Sequence, residues 1–243
     1  MNLRVMTYNI QHAMEHAAWL KDKTEIINFD MIADVIRRFN PDVVGLNEVR
    51  DRGADPDYRE QTLEIARRLG YEHCYFAKAI DFGYGPYGNA IISKYPMQSA
   101  RTIAIPDPVY KNSGGYYETR CILKAEFEVP TRFDVLISHF GLPASEQRNA
   151  VSMMMQLLEN RSVPTVAMGD YNMKPENPTL APLLAALTDT AAWLPEGTMT
   201  FPTENPKIKI DYVLVSEEFR PISAQAPAIV ASDHCPYIVD LEI

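Results

Sequence analysis

The chain has 243 residues, 47% hydrophobic and 23% charged, ordinary globular values that allow a sizeable core. Its 23 Lys and Arg against 32 Asp and Glu leave a net charge of -9, which disfavours a broad basic groove for duplex nucleic acid, because phosphate neutralisation supplies most of that affinity. Cys74, Cys121 and Cys235 form no C-x-x-C pattern, no apolar run approaches the ~18 residues of a membrane span, and the first residues lack a secretory leader's pattern, so the expectation is a soluble cytoplasmic protein with reduced thiols.

In chain order, strands are expected at 3–9 and 43–47. Between them, residues 28–39 place Met31, Ile32, Val35, Ile36 and Phe39 on one helical face, with Asn28 or Asp30 as cap and Asn40-Pro41 as stop. A second helix, 58–69, ends at Gly70, a left-handed terminator. Strands follow at 73–78, 89–93, 100–105, 121–129 and 133–139. The helix expected at 144–159 carries Val151, Met154, Met155 and Leu158 as a core stripe. A strand at 165–169, a short helix at 179–187 and strands at 209–216 and 237–243 complete the pattern.

Phe133-Asp134-Val135-Leu136-Ile137 is nearly all apolar and belongs between two packed layers, whereas Lys124-Ala125-Glu126-Phe127 alternates and has one wet face. The stretches 81–88 and 106–117, rich in Pro, Gly and Tyr, read as loops. With no internal repeat and no linker, one domain over 1–243 is expected, an α/β sandwich with helices outside and sheets inside.

Short polar motifs end several apolar runs. Glu48 follows Val43-Val44-Gly45-Leu46 and should emerge at a strand's carboxyl end, where α/β sheets place ligand sites. A hard cation such as Mg2+ takes oxygen ligands and needs only one or two carboxylates, and Glu48 is the best candidate. Asn9 ends the first strand, and its amide can ligate metal through oxygen or hydrogen-bond the carboxylates that do. Asp170 and Asn172, two apart after another buried strand, can align water and hold a phosphoryl oxygen. Asp211, Asp233 and His234 join a carboxylate to an imidazole that it can orient and charge. Of five histidines, only His139 and His234 stand at ends of apolar runs among polar partners; His12 and His16, four apart, read as surface or substrate-edge residues before a metal pair.

Thr-Tyr-Asn-Ile at 7–10, Pro-Asp-Val-Val-Gly-Leu-Asn-Glu-Val at 41–49, Gly-Asn-Ala-Ile-Ile-Ser-Lys-Tyr-Pro at 88–96, Ser-His-Phe at 138–140, Gly-Asp-Tyr-Asn at 169–172, Ile-Asp-Tyr-Val at 210–213 and Ser-Asp-His-Cys-Pro at 232–236 together resemble the endonuclease/exonuclease/phosphatase superfamily. The resemblance spans residues 3–243 and lies in the ordered set. It implies a four-layer α/β/β/α sandwich, DNase I-like, and Mg2+- or Mn2+-dependent phosphoester hydrolysis. By the same resemblance Asn9 and Glu48 hold the metal, Asp170 activates water and Asn172 positions the phosphate. His234, oriented by Asp211, stabilises charge; Asp233 assists metal or leaving group; His139 contacts the scissile phosphate or leaving oxygen; and Arg120 supports the site. Asn47 departs from the family pattern, which has glutamine there.

Loops should set the substrate. Asn89, Tyr84 and Tyr87 are candidate substrate contacts, with Phe82, Tyr110, Tyr116 and Tyr117 also able to stack or to pack their own loops. The charge balance favours a small or single-stranded phosphodiester, a nucleotide ester or a lipid headgroup. A nuclease is the alternative enzyme, a non-catalytic phospho-ligand module the alternative of another class, and no obligate protein partner is expected.

Overall fold

Strands buried on both faces carry side chains in two opposed rows, and here each row meets a different layer. The computed structural model describes residues 1–54, 58–111, 115–128 and 131–243; the end of the strand expected at 121–129 and part of the expected 106–117 loop lie outside them. The strands are β1 (Asn2–Asn9), β2 (Val43–Arg50), β3 (His73–Phe82), β4 (Gly85–Ser93), β5 (Met97–Ala104), β6 (Cys121–Phe127), β7 (Phe133–Ser138), β8 (Thr165–Asp170), β9 (Thr188–Asp189), β10 (Asp211–Val215), β11 (Arg220–Gln225) and β12 (Tyr237–Glu242). They form two six-stranded mixed sheets, ordered β11-β12-β1-β2-β4-β3 and β5-β6-β7-β8-β10-β9.

Leu3 and Val5 of β1, Val43 of β2, Ile91 of β4, Val135 and Ile137 of β7, Val166 and Met168 of β8 and Val213 of β10 fill the core between the sheets. The intervening residues face outward to helices. On the first sheet, Met6, Tyr8, Val44, Leu46 and Ile92 pack with Ile32 and Ile36 of α2 (Phe29–Phe39) and Ile65 of α3 (Gln61–Leu69). On the second, Leu136, Ala167, Tyr212 and Leu214 pack with Val151, Met154 and Leu158 of α4 (Ala144–Glu159) and Leu183 of α5 (Ala181–Ala186). The result is the expected α/β/β/α sandwich.

Of the two caps considered for α2, Asn28 serves: its Oδ1 accepts the Met31 N–H at 3.0 Å. Four elements differ from expectation, the least of them β9, whose two residues are too few for a pattern. Residues 81–88 are not a loop but mostly strand, since β3 and β4 form a hairpin in which Phe82 pairs with Gly85 around Gly83-Tyr84. Gly83, at φ +63, supplies the left-handed turn residue, so the aromatic content belongs to paired strands. β11 was hidden because Arg-Pro-Ile-Ser-Ala-Gln is a polar edge strand with a proline and no apolar run. The helix α1 (His16–Asp22) is too short for its periodicity to register.

Candidate active site

The two rows of inter-sheet side chains end in polar residues at one edge of the core. Two-residue steps from Val5, Ile91, Ile137, Met168 and Val213 lead to Thr7 and Asn9, to Asn89, to His139, to Asp170 and to Asp211. β1 and β2 run parallel, as do β7 and β8, so their carboxyl ends meet here. β4 and β10 are antiparallel to their neighbours; β4 contributes Asn89 from mid-strand and β10 its first residue, Asp211.

Glu48 reaches this edge by a β-bulge. β2 pairs Leu46 with Ala90 and Val49 with Gly88, leaving Asn47 and Glu48 opposite Asn89 alone, with Glu48 at φ +58. The bulge turns Glu48 into the cleft, an aiming device that simple alternation does not provide. Its Oε1 accepts from Asn9 Nδ2 at 2.9 Å and its Oε2 from the Tyr87 hydroxyl at 2.8 Å. Burial and the adjacent carboxylate hold the Tyr87 phenol well above its ordinary pKa, so it remains a donor to Glu48.

Amides form the frame beneath the charged groups. Asn9 Nδ2 also donates to Asp170 Oδ2 at 3.2 Å, while its Oδ1 accepts the Gln11 N–H. Asn47, fully buried, accepts the Asp170 N–H on Oδ1 and donates to Asn89 Oδ1; Asn89 in turn donates to the Cys121 carbonyl. Asn47 thus supports the site by clamping the bulge of one sheet to the strand end of the other. Asn89 lies behind it, as part of the frame.

Asp170 is the centre of the constellation, 1% exposed. Its Oδ1 accepts the Asn172 N–H at 2.9 Å, and its Oδ2 lies 3.4 Å from His139 Nε2 and 3.5 Å from His234 Nε2. Burial raises its pKa to about 7, with Asp211 adding and His234 opposing. Asp211 Oδ2 accepts from His234 Nδ1 at 2.9 Å. Burial disfavours the His234 imidazolium, but Asp211, Asp170 and Asp233 outweigh it and raise the pKa to about 10. The Phe201 ring lies against the imidazole at 4.8 Å between centroids.

His139 is the opposite case. Burial, Arg120 and His234 hold its pKa well below the ordinary value, so it is neutral. Arg120 Nη1 lies 3.1 Å from His139 Nδ1, and a guanidinium can only donate, which makes Nδ1 the acceptor and leaves the proton on Nε2. That N–H points at Asp170 Oδ2, 3.4 Å away; the Asn172 amide nitrogen, 3.0 Å from the same ring nitrogen, is a second donor and not its acceptor, and donates instead to the Phe140 carbonyl. Two imidazoles, one charged and one neutral, therefore flank one buried carboxylate.

The cleft over these groups has a volume of about 380 Å3 and is also lined by Asp233, Glu118, His12, Phe82, Tyr116 and Leu142. The structure brings Asn9, Glu48, Tyr87, Arg120, His139, Asp170, Asn172, Asp211, Asp233 and His234 together. It does not bring Tyr84, which is 68% exposed at the hairpin tip with its ring edge on Tyr58. His12 and His16 form no metal pair: His12 Nε2 lies 3.2 Å from Glu25, and His16 sits between Gln11 and Glu204. Sequence reasoning missed Glu118 and Phe201 as cleft residues. Glu118, two before Arg120, carried a weak charge-pairing signal; Phe201 carried none.

A sequence profile described as the Endonuclease/Exonuclease/phosphatase family matches residues 6–234. The chain belongs to that family. Its members are hydrolases acting on phosphoester bonds. The crystal structure of an endonuclease/exonuclease/phosphatase from Beutenbergia cavernae DSM 12333 is 26% identical with a TM-score of 0.83, covering 100% of this chain and 72% of that one. A mannosyl-6-phosphatase of Bacteroides thetaiotaomicron VPI-5482 is 16% identical with a TM-score of 0.77, covering 99% and 100%. ANGEL2, a 2',3'-cyclic phosphatase in complex with adenosine-2',3'-vanadate, is 15% identical with a TM-score of 0.72, covering 99% and 95%. No curated protein matches the chain. No helix among the described residues is long and apolar enough to cross a membrane.

Family members are generally divalent-metal dependent, and the donor set here fits a hard cation. Asp170, Asp211 and His234 present atoms within 4.8 Å of one another, yet His234 is an imidazolium bound to Asp211 and offers a cation no lone pair. The oxygen side of the cleft fits better. Glu48 Oε1 and Asp170 Oδ2 converge on the amide nitrogen of Asn9, which donates to each, and Asp233 adds a carboxylate to the cleft lining, so oxygen donors gather on this side.

Proposed function

We propose that this chain is a Mg2+- or Mn2+-dependent phosphoesterase, acting on a small or single-stranded phosphoester by in-line attack of water, within one catalytic domain over residues 1–243. The observation that carries this reading is Asp170, a buried carboxylate raised towards neutrality and flanked at 3.4 and 3.5 Å by a neutral and a charged imidazole.

Glu48, with Asp233 and the Asn9 amide beside it, would hold the cation, which when bound supplies charge neutralisation at the phosphoryl oxygens. Asp170, with a pKa near 7, is suited to take a proton from an attacking water at neutral pH. The Asn172 amide and the His139 Nε2–H, both in the cleft lining, are neutral donors suited to holding phosphoryl oxygens without adding charge. The His234 imidazolium, fixed by Asp211, faces the site through Nε2 and stabilises negative charge that develops in the transition state. Arg120 fixes the His139 tautomer.

The test is release of p-nitrophenol from bis(p-nitrophenyl) phosphate by pure protein, with and without Mg2+ or Mn2+. Activity should need the metal and disappear with EDTA. Asp170→Asn and His234→Ala should each lower kcat about 10²–10⁴-fold in protein shown by circular dichroism to be folded at the assay temperature. Wild-type rates in both variants would refute the assignment.

A further inference from the structure

Among the described residues that line the cleft, four carboxylates, Glu48, Glu118, Asp170 and Asp233, stand with one guanidinium, that of Arg120. That guanidinium is already engaged. Glu118 Oε2 lies 2.5 Å from Arg120 Nη2, and both side chains are about nine-tenths buried. The pair is fixed from two directions: the Tyr116 hydroxyl donates to Glu118 Oε1 at 2.7 Å, and Glu146 Oε1 of α4 accepts the Glu118 N–H at 3.0 Å.

An arginine beside a phosphate site ordinarily supplies a full positive charge to the incoming anion. Here Glu118 cancels that charge before any substrate arrives and repels whatever second negative charge the substrate carries. A phosphodiester has one negative charge, whereas a phosphomonoester with a second pKa near ~6 has close to two at neutral pH. The rim adds a second bias. Phe82, Tyr116 and Leu142, respectively 40%, 55% and 58% exposed, line the cleft with apolar surface, and the Phe201 ring lies against His234. Such walls favour an ester with apolar groups over an extra anionic oxygen in contact with water.

We infer that Glu118 is a selectivity residue which, by neutralising Arg120, sets the cleft for monoanionic phosphodiesters bearing apolar groups and against dianionic monoesters. This rests on the phosphoesterase reading for its catalytic form, though not for its electrostatics.

The experiment compares kcat/KM at pH 8 for methyl p-nitrophenyl phosphate and p-nitrophenyl phosphate, which share a leaving group and differ in charge, with saturating Mn2+. Wild type should prefer the diester. Glu118→Gln should lower the diester-to-monoester ratio by about tenfold or more, because it frees one partly buried positive charge. Tyr116→Phe, which removes one hydrogen bond and no charge, should move the ratio by less. If Glu118→Gln failed to fold, Glu118→Asp, whose shorter reach loosens the pair, should shift the ratio in the same direction. A wild-type preference for the monoester, or a ratio unmoved in the folded Glu118 variant, would overturn the inference.

If wild type hydrolysed neither ester, the phosphoesterase reading would fall separately, and the selectivity role would then be decided by calorimetric titration of inorganic phosphate. Its Kd should tighten about tenfold in Glu118→Gln. An unchanged Kd would refute the role of Glu118.

Discussion

Asn47 and Asp170 join the two sheets at the floor of the cleft: the side-chain oxygen of one accepts the backbone N–H of the other at 2.9 Å, with both residues almost wholly buried. The same Asn47 donates to Asn89 Oδ1 at 2.8 Å. One amide thus satisfies a strand-end donor and a second buried amide, and holds the carboxylate of β8 in register with the bulge that carries Glu48.

Asn47→Leu keeps a similar volume and removes both bonds. It leaves the Asp170 N–H and Asn89 Oδ1 unsatisfied in the interior, a loss of about 2–4 kcal/mol. Activity should fall further than stability suggests, by about 10²-fold, since a displacement of an ångström at Asp170 spoils the alignment of water. Urea denaturation and kcat on bis(p-nitrophenyl) phosphate check the two effects. A variant as stable and as active as wild type would show that the clamp is incidental.

Gly169 is required where β8 meets the site. Its φ is +146, and a Cβ there would lie 1.9 Å from the Ser138 carbonyl oxygen, a backbone atom that cannot swing aside. Gly169→Ala should cost more than about 4 kcal/mol, the range reserved for strain and steric conflict together. Gly45→Ala is the informative contrast. Its Cβ would meet the Met168 Cε at 2.9 Å and the Ile137 side chain at 3.0 Å, groups that can yield, at about 1–3 kcal/mol. Melting curves for the two variants should rank them in this order.

Much of this was legible in the sequence, and the rest fails for identifiable reasons. Buried strands such as Phe133–Ser138 announce themselves as apolar runs, and strand-end polar residues such as Asn9, Asp170 and Asp211 stand out against them. The hairpin β3–β4 was hidden because Gly, Pro and Tyr near a turn imitate a loop until the cross-strand partners are known. The bulge at Glu48 depends on the pairing of Asn47 and its neighbours with Asn89, 42 residues on, and the clamp of Asn47 on Asp170 spans 123 residues, distances that no local pattern encodes. The same is true of Phe201 on His234. Glu118 was nearest to being readable, two residues from Arg120, but its pairing is distinguished from an ordinary surface charge only by burial.

The oxygen side of the cleft predicts a metal-dependent gain in stability. A cation bound by the folded chain and not by the unfolded one stabilises by mass action, about 2.7 kcal/mol at a hundred times its Kd. Mg2+ or Mn2+ should therefore raise the melting temperature, and Glu48→Gln, which keeps the Asn9 and Tyr87 neighbours but removes the charge, should abolish most of that rise. Asp211→Asn should leave the rise in place, because Asp211 is committed to His234. An equal loss in both variants would move the cation to the His234 side. This is a thermal-shift measurement and needs no turnover.

Lys209 offers a test of burial energetics next to the site. It is 6% exposed, its ammonium lies 3.3 Å from the centre of the Tyr212 ring and 3.2 Å from Asp189 Oδ2, and burial lowers its pKa to about 8 against the partial opposition of Asp189 and Asp211. The unfolded chain titrates this group at 10.5. Below pH 8 both states hold the proton and the folded state bears the whole cost of the buried charge, about 3 kcal/mol. Between pH 8 and 10.5 the unfolded chain keeps its proton while the folded chain releases it, so this contribution to stability rises with pH, and above 10.5 it is flat. His234 acts in the opposite sense: its raised pKa stabilises below pH 6.5 and is lost as pH rises towards about 10. The two must be separated by difference. Lys209→Met fills the same space without charge, and its stability relative to wild type should fall by up to about 3 kcal/mol as pH rises from 8 to 10.5. Urea denaturation of both proteins across that range gives the difference directly, since His234 and the buried tyrosines are common to the two. A difference independent of pH would mean that Asp189 fully compensates the ammonium and that Lys209 is buried at no cost.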